Sequence, residues 1–149
     1  MKRGYGDCKD KAVLFITLAR VAGIKVNFAI VRTRSRGPLR KNVPMQQFDH
    51  AIVYVPKQEG IPTGRFYDPT ADALDIDAIP LNIPGVWALA LDPDTGEHEW
   101  IQVSCQSPLV NRRVVRTHFV LHTDGSAQGR LEIEARGHEG AVFRRLARN

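Results

Sequence analysis

The sequence predicts an α+β fold, with a buried apolar helix packed on an antiparallel sheet and a C-terminal β-hairpin extension. Three observations carry this. From Ala12 to Ala22 nearly every residue is apolar, interrupted only by Thr17 and Arg20. Beyond it come short runs rich in Val, Ile, Phe and Tyr, bounded by Gly, Pro and Asp turn signals. Near the end, Thr123-Asp124-Gly125-Ser126 separates two alternating segments, which is a hairpin signature. A chain of 149 residues with 43% apolar content suffices for one packed domain, or one with a small appendage. The expected division is a core over 1–103 and a linker with a truncated β-rich extension over 104–149.

The helix has start and stop signals. Asp7 can act as N-cap, with Asp10 three residues on in a capping-box position. Gly23 follows the last apolar residue and suits the C′ position. A helix apolar all round is expected to be buried. The strands follow in order. Lys25 to Arg34 reads as the first, with Val26, Phe28 and Ile30 on one face and Asn27, Ala29 and Val31 on the other. Ser35 to Gln47 holds Gly37, Pro38 and Pro44 and reads as a long surface loop, the kind that often forms a functional rim. Asp49 to Val55 is a second strand, Arg65 to Asp68 a short third, Val86 to Leu91 a fourth and Glu99 to Val103 a fifth. Asp72 to Pro84 reads as irregular and acidic, and Asp92-Pro93-Asp94-Thr95-Gly96 as a tight turn.

Several classes fall away. The Ala12–Ala22 run is too short to span a bilayer, and no signal peptide is visible. Two cysteines make no disulfide framework, and no Cys/His cluster has zinc spacing. The net charge of +5 is unevenly placed. Arg32, Arg34, Arg36, Arg40 and Lys41 crowd one loop, while Phe66 to Asn111 has no Lys or Arg. No aromatic residues interleave the arginines as stacking platforms, so the loop is read as a solvated strand end and no nucleic-acid partner is expected.

Cys8, as first residue of the helix, sits where unpaired N–H groups and the helix dipole favour an anion, and the thiolate is the nucleophilic form. Lys9 and Lys11 add positive charge nearby. The plain alternative is a small buried packing residue. Pairing the second and third strands across 56–64 with His50 opposite Asp68 puts Val55 opposite Thr63, a sensible loop length. An imidazole and a carboxylate can then hydrogen-bond. If the helix packs on that face with its start at that edge, Cys8, His50 and Asp68 converge as nucleophile, base and orienter of the base. Taken singly, His50 reads as a half-buried histidine and Asp68 as a turn former before Pro69. His98, His118, His122 and His138 have no carboxylate partner by spacing, and Cys105 has no base implied.

Gly6-Asp7-Cys8-Lys9-Asp10-Lys11-Ala12, Phe48-Asp49-His50-Ala51-Ile52-Val53 and Phe66-Tyr67-Asp68-Pro69-Thr70 come in the order Cys, His, Asp. Over about residues 3 to 91 the chain resembles the transglutaminase-like superfamily, in particular a bacterial branch with flanking β-domains. The resemblance implies a papain-like core with Cys8 as nucleophile, His50 as general base and acid, and Asp68 as orienter. It implies cleavage or transfer at an amide or ester through a thioester, with a peptide or protein substrate and no metal or other cofactor. It also suggests the bacterial cell envelope or periplasm for the parent protein. Family cores carry upstream helices that contribute cleft walls and an oxyanion-hole side chain. Only seven residues precede Cys8 here, so a piece of a longer protein is expected.

Arg112 to His122 alternates apolar and polar residues, as does Arg130 to Arg136. Two or three strands hold a poor core alone. The hairpin over 112–136 is therefore expected to pair with a second copy or dock on the core sheet. Two functional readings follow. The triad residues favour a cysteine-dependent amide hydrolase or acyltransferase. The missing upstream helices favour a non-catalytic protein-binding module that keeps the scaffold.

Overall fold

The computed structural model describes residues 5–76, 78–105 and 107–148. They form two compact units, one of residues up to 72 with 79–105, the other of residues from 73–78 with 107–148.

Helix α1 spans Cys8–Val21, and both its ends are closed by the residues beside it. Asp7 Oδ1 accepts from the N–H groups of Lys9 and Asp10 at 2.8 and 3.1 Å, and Asp10 Oδ2 accepts from the Asp7 N–H at 3.0 Å. Such a cap contributes about 1 kcal/mol. At the far end Ile24 N–H bonds to Ala19 O and Gly23 N–H to Arg20 O, with Gly23 at φ +73°. That is a Schellman motif, which needs the left-handed residue that glycine supplies.

The helix is not buried all round. Ala12 and Ile16 are buried, with Phe15 and Ala19 beside them, but Leu18 is 62% and Val21 86% exposed. One sheet lies on one side of α1, and nothing among the described residues of this unit covers the stripe through Val13, Leu18 and Val21. A uniformly apolar sequence says that any side can be buried, not that a second layer exists.

The sheet has strand order β3-β2-β1-β4-β5 and is antiparallel throughout, with β1 Asn27–Val31, β2 His50–Val55, β3 Arg65–Tyr67, β4 Trp87–Leu91 and β5 His98–Gln102. β1 is central and covered on both faces. Val26 and Phe28 pack with α1, Val53 and Val55. Ala29 and Val31 pack with Ile52, Ala88 and Ala90 on the other face. Ile79 and Ile83, from the irregular segment, complete that second layer.

In the other unit, β6 Arg113–Leu121 and β7 Ala127–Ala135 form a two-stranded sheet by themselves. Their register pairs Val115 with Ile133, Thr117 with Leu131 and Phe119 with Gly129. The Phe119 ring lies where a side chain on Gly129 would stand, so that glycine is needed under the aromatic ring. The remainder is not a further strand. Gly137–Leu146 forms helix α2, with Glu139 in its first turn and Arg144 and Arg145 in its last, as the helix dipole favours. Gly137 N–H donates to Asp75 Oδ2 at 2.9 Å, Arg144 Nε to Ala73 O at 2.7 Å, and Arg144 pairs with Asp75 at 3.0 Å. These bonds fasten the segment around 73–75 to α2.

Candidate active site

The base of the 32–49 loop fixes the approach to β2. Asp49 accepts from Thr33 N–H at 2.7 Å and Thr33 Oγ1 at 2.6 Å, and its own N–H bonds to Val31 O at 3.1 Å. Burial works to raise the Asp49 carboxyl, but the Thr33 bonds and nearby Arg36 hold it below its ordinary range. His50 follows directly, opposite Val31 of β1. Arg32 braces the loop from inside, donating Nη1 to Gln47 O at 3.0 Å, Nε to Gly37 O at 3.2 Å and Nη2 to Arg36 O. Two of the loop's basic side chains, Arg32 and Arg36, thus serve its own architecture.

His50 Nε2 meets Asp68 Oδ2 at 2.8 Å. The register differs from the one expected. Val53 pairs with Tyr67 and Val55 with Arg65, so continuing the ladder puts His50 opposite Thr70 and makes Asp68 its diagonal neighbour. The shift is two residues, and a shift of two keeps side chains on their face where a shift of one reverses them. Diagonal neighbours remain within reach of long side chains.

Thr70 is the partner that sequence reasoning gave no role. Its N–H and Oγ1 donate to Asp68 Oδ1 at 2.9 and 2.6 Å, so each carboxylate oxygen is held from a different side. The Asp68-Pro69-Thr70 order was the available signal, since an Asp whose side chain bonds two residues on forms an Asx turn. The Asp68 side chain is 2% exposed and that of His50 18%. Burial pushes the Asp68 carboxyl up, and the bonds from His50 and Thr70 overcome it and leave it below the ordinary range. His50 moves the other way. Its bond to Asp68 raises its pKa, burial opposes this, and the Asp68 charge and then Cys8 add to the rise.

Cys8 is the first residue of α1 and is half-buried. It lies on the same cavity wall as His50. No hydrogen bond joins the thiol to the imidazole among the described residues. With Nε2 taken by Asp68, Nδ1 is the ring nitrogen left for Cys8. Asp68 bonds to His50, and Cys8 shares a cavity wall with His50, though not across the expected sheet face. α1 packs on the side of Val53 and Val55, whereas strict alternation puts His50 with Ile52 and Tyr54 on the opposite side. His50 is the first residue of β2, so the helix start reaches it around the strand end. Gly6 makes the turn into α1 tight, because a Cβ there would stand 2.7 Å from Asp10 Cβ.

Cys8 and His50 share the wall of a cavity of about 460 Å³ with Ile30, Gln46, Phe48 and Ala51. Gln46 brings an amide donor to this space, and the Cys8 N–H, in the first turn, has no intrahelical acceptor. Among the described residues His50 is the only histidine bonded to a carboxylate, and Cys105 is exposed. No helix among them is long and apolar enough to cross a membrane. No family model matches the chain, and no curated protein or solved structure does either.

Proposed function

We propose that this chain carries the core of a cysteine-dependent amide hydrolase or acyltransferase, similar in kind to the transglutaminase-like superfamily. The observation that carries the reading is the 2.8 Å bond from His50 Nε2 to a buried, Thr70-held Asp68, which leaves Nδ1 for Cys8 at a helix start. In this mechanism Cys8 Sγ attacks the carbonyl carbon while its proton passes to His50 Nδ1. The tetrahedral intermediate collapses, the amine leaves with that proton, and a thioester remains on Cys8. Water or a second amine then attacks, gives its proton to His50, and releases the acyl group as the thiol is restored. Asp68 holds the ring and stabilises the imidazolium. Gln46 and the Cys8 N–H are the donors available to the developing oxyanion.

Alkylation by iodoacetamide tests the site without a known substrate. At pH 6 Cys8 should react faster than the exposed Cys105, and His50→Ala should remove most of that advantage. Equal rates, unchanged by His50→Ala, would mark Cys8 as an inert packing residue. On a substrate that is turned over, loss of the general base should cost about 10²- to 10⁴-fold in rate.

The second reading, a binding module that keeps the scaffold without catalysis, draws on the uncovered apolar stripe of α1, with Leu18 and Val21 in the open. An unreactive Cys8 together with partner binding lost in Leu18→Lys would favour it.

A further inference from the structure

Cations edge the cavity of Cys8 and His50 on two sides. From Lys11 to Phe48 the sequence has no Asp or Glu, and this stretch includes most of the loop that borders the cavity. On the helix side, Lys9 follows the nucleophile and stands on the cavity wall. Its link to Asp7, at 3.3 Å, joins two side chains that are each more than half exposed, so it is weak and can give way to a better-placed anion. Lys11, three residues from Cys8 on the helix, is exposed and makes no ion pair among the described residues. On the loop side, Gln47 adjoins the wall residue Gln46. Its Oε1 accepts from the Arg40 N–H at 2.9 Å, and its Nε2 donates to Arg40 O at 2.9 Å and Val43 O at 3.0 Å. That amide pins the turn carrying Arg40 and Lys41 beside the cavity. Arg40 is exposed and makes no ion pair among the described residues. Lys41 Nζ lies 2.9 Å from the Trp87 ring centroid and 5.1 Å from that of Trp100, which stacks on the wall residue Phe48. The rings hold that ammonium in place. The carboxylates nearest His50 are engaged already, Asp49 by Thr33 and Arg36, and Asp68 by His50 and Thr70.

We propose that this site takes an acidic peptide, one whose aspartate or glutamate side chains flank the amide offered to Cys8. A cleft edged by charge of one sign concentrates ligands of the other, and salt weakens the effect. Lys9 and Lys11 serve carboxylates on the helix side, Arg40 and Lys41 those on the loop side. A nucleic acid fits less well, because Lys41 covers the Trp87 face on which a base would stack. The peptide's role as substrate rests on the acyl-transfer reading, whereas the preference for an anion does not.

Two alkylating reagents read the charge at Cys8 itself. Iodoacetate is an anion and iodoacetamide is neutral. Each forms a carbon–sulfur bond with the same thiolate and releases iodide, so the thiolate fraction cancels in the ratio of their rates. At low salt that ratio should be about five- to tenfold higher at Cys8 than at Cys105. It should fall towards the Cys105 value between about 0.01 and 0.15 M ionic strength, as the Debye length shrinks from about 30 to about 8 Å. Lys9→Gln and Arg40→Gln should each lower it by about twofold or more. Lys57→Gln removes the same charge beyond the far end of β2 and should leave it unchanged. A dye-labelled peptide of alternating Glu and Gln gives a reading that needs no reactive thiol. It should bind saturably at low salt, its Lys and Gln counterpart should not, and the double variant Lys9→Gln, Arg40→Gln should abolish binding. Equal ratios at the two cysteines, or no saturable binding of the acidic peptide, overturns the proposal. So does an oligothymidylate that binds as tightly as the peptide, which would mark a general basic patch. A fast Cys8 with equal ratios leaves the acyl-transfer reading standing without the acidic substrate. A bound acidic peptide beside an inert Cys8 leaves the anion site standing without catalysis.

Discussion

β1 and the β6–β7 hairpin differ in what stands behind their apolar residues. β1 is buried from both sides, with Ala29 and Val31 against one layer and Phe28 against the other. The hairpin has the cleaner alternation, Val115, Thr117 and Phe119 against Arg116 and His118, yet Phe119 is 69% exposed. Among its unit's described residues the buried hydrophobics are Ala78 and Ala141, both small. Alternation tells which face of a strand is apolar. Only a second layer turns that face into a core.

Hydrogen exchange should show the contrast at its largest. Amides of β1 are expected to open only with global unfolding, and those of β6 and β7 through local opening, with protection lower by about a hundredfold or more. Equal protection would break the contrast. If a second copy covers the hairpin, its protection will rise with protein concentration, and Phe119→Lys will abolish the rise.

Core truncation comes next. Ile52→Ala, at a fully buried site, should cost about 2–5 kcal/mol by urea denaturation. Leu131→Ala on the open hairpin face should stay within about 0.5 kcal/mol. A large loss from Leu131→Ala would mean that something covers that face in solution.

The His50–Asp68 pair gives a smaller, pH-dependent effect. The folded state raises the His50 pKa above 6.5, so it favours the charged ring. That stabilisation is complete below the unfolded value and is lost as pH rises through the raised folded one. The melting temperature lost in His50→Gln should therefore be greater at pH 5.5 than at pH 8.5. The opposite trend would mean that the ring is kept neutral. Smallest of all, Asp75→Asn should cost about 1 kcal/mol or less, since Arg144 and Asp75 are both partly exposed. It should loosen α2 without changing β1 exchange.

What could be read from the sequence was mostly local. The Asp7–Asp10 box and the Gly23 stop depend on a few adjacent residues, and both stand where the pattern put them. The His50–Asp68 hydrogen bond was legible because a period of two tolerates a register error of two. What escaped depends on contacts distant in sequence. The open side of α1 reflects a missing layer, which no property of α1 reveals. Helix α2 hides behind Gly137 and Gly140, residues that argue against a helix until the Val110 backbone and Asp75 are seen packed close to the first and the Ala135 carbonyl close to the second. Lys41 looked like solvated charge, because the tryptophans it meets lie far along the chain.

Thr33 and Asp49 close the neck of the loop that precedes His50. Beyond that neck the chain is tethered at a fixed point, and what happens at the tip does not move the histidine. Each doubling of a flexible loop costs only about 0.6 kcal/mol. Between the carbonyls of Arg36 and Gly37, which Arg32 holds, and Gln46, which lines the cavity, the tip of this loop is open to insertion, in evolution or at the bench. Its length and composition can be redrawn to change what enters the cavity, while the histidine keeps its place.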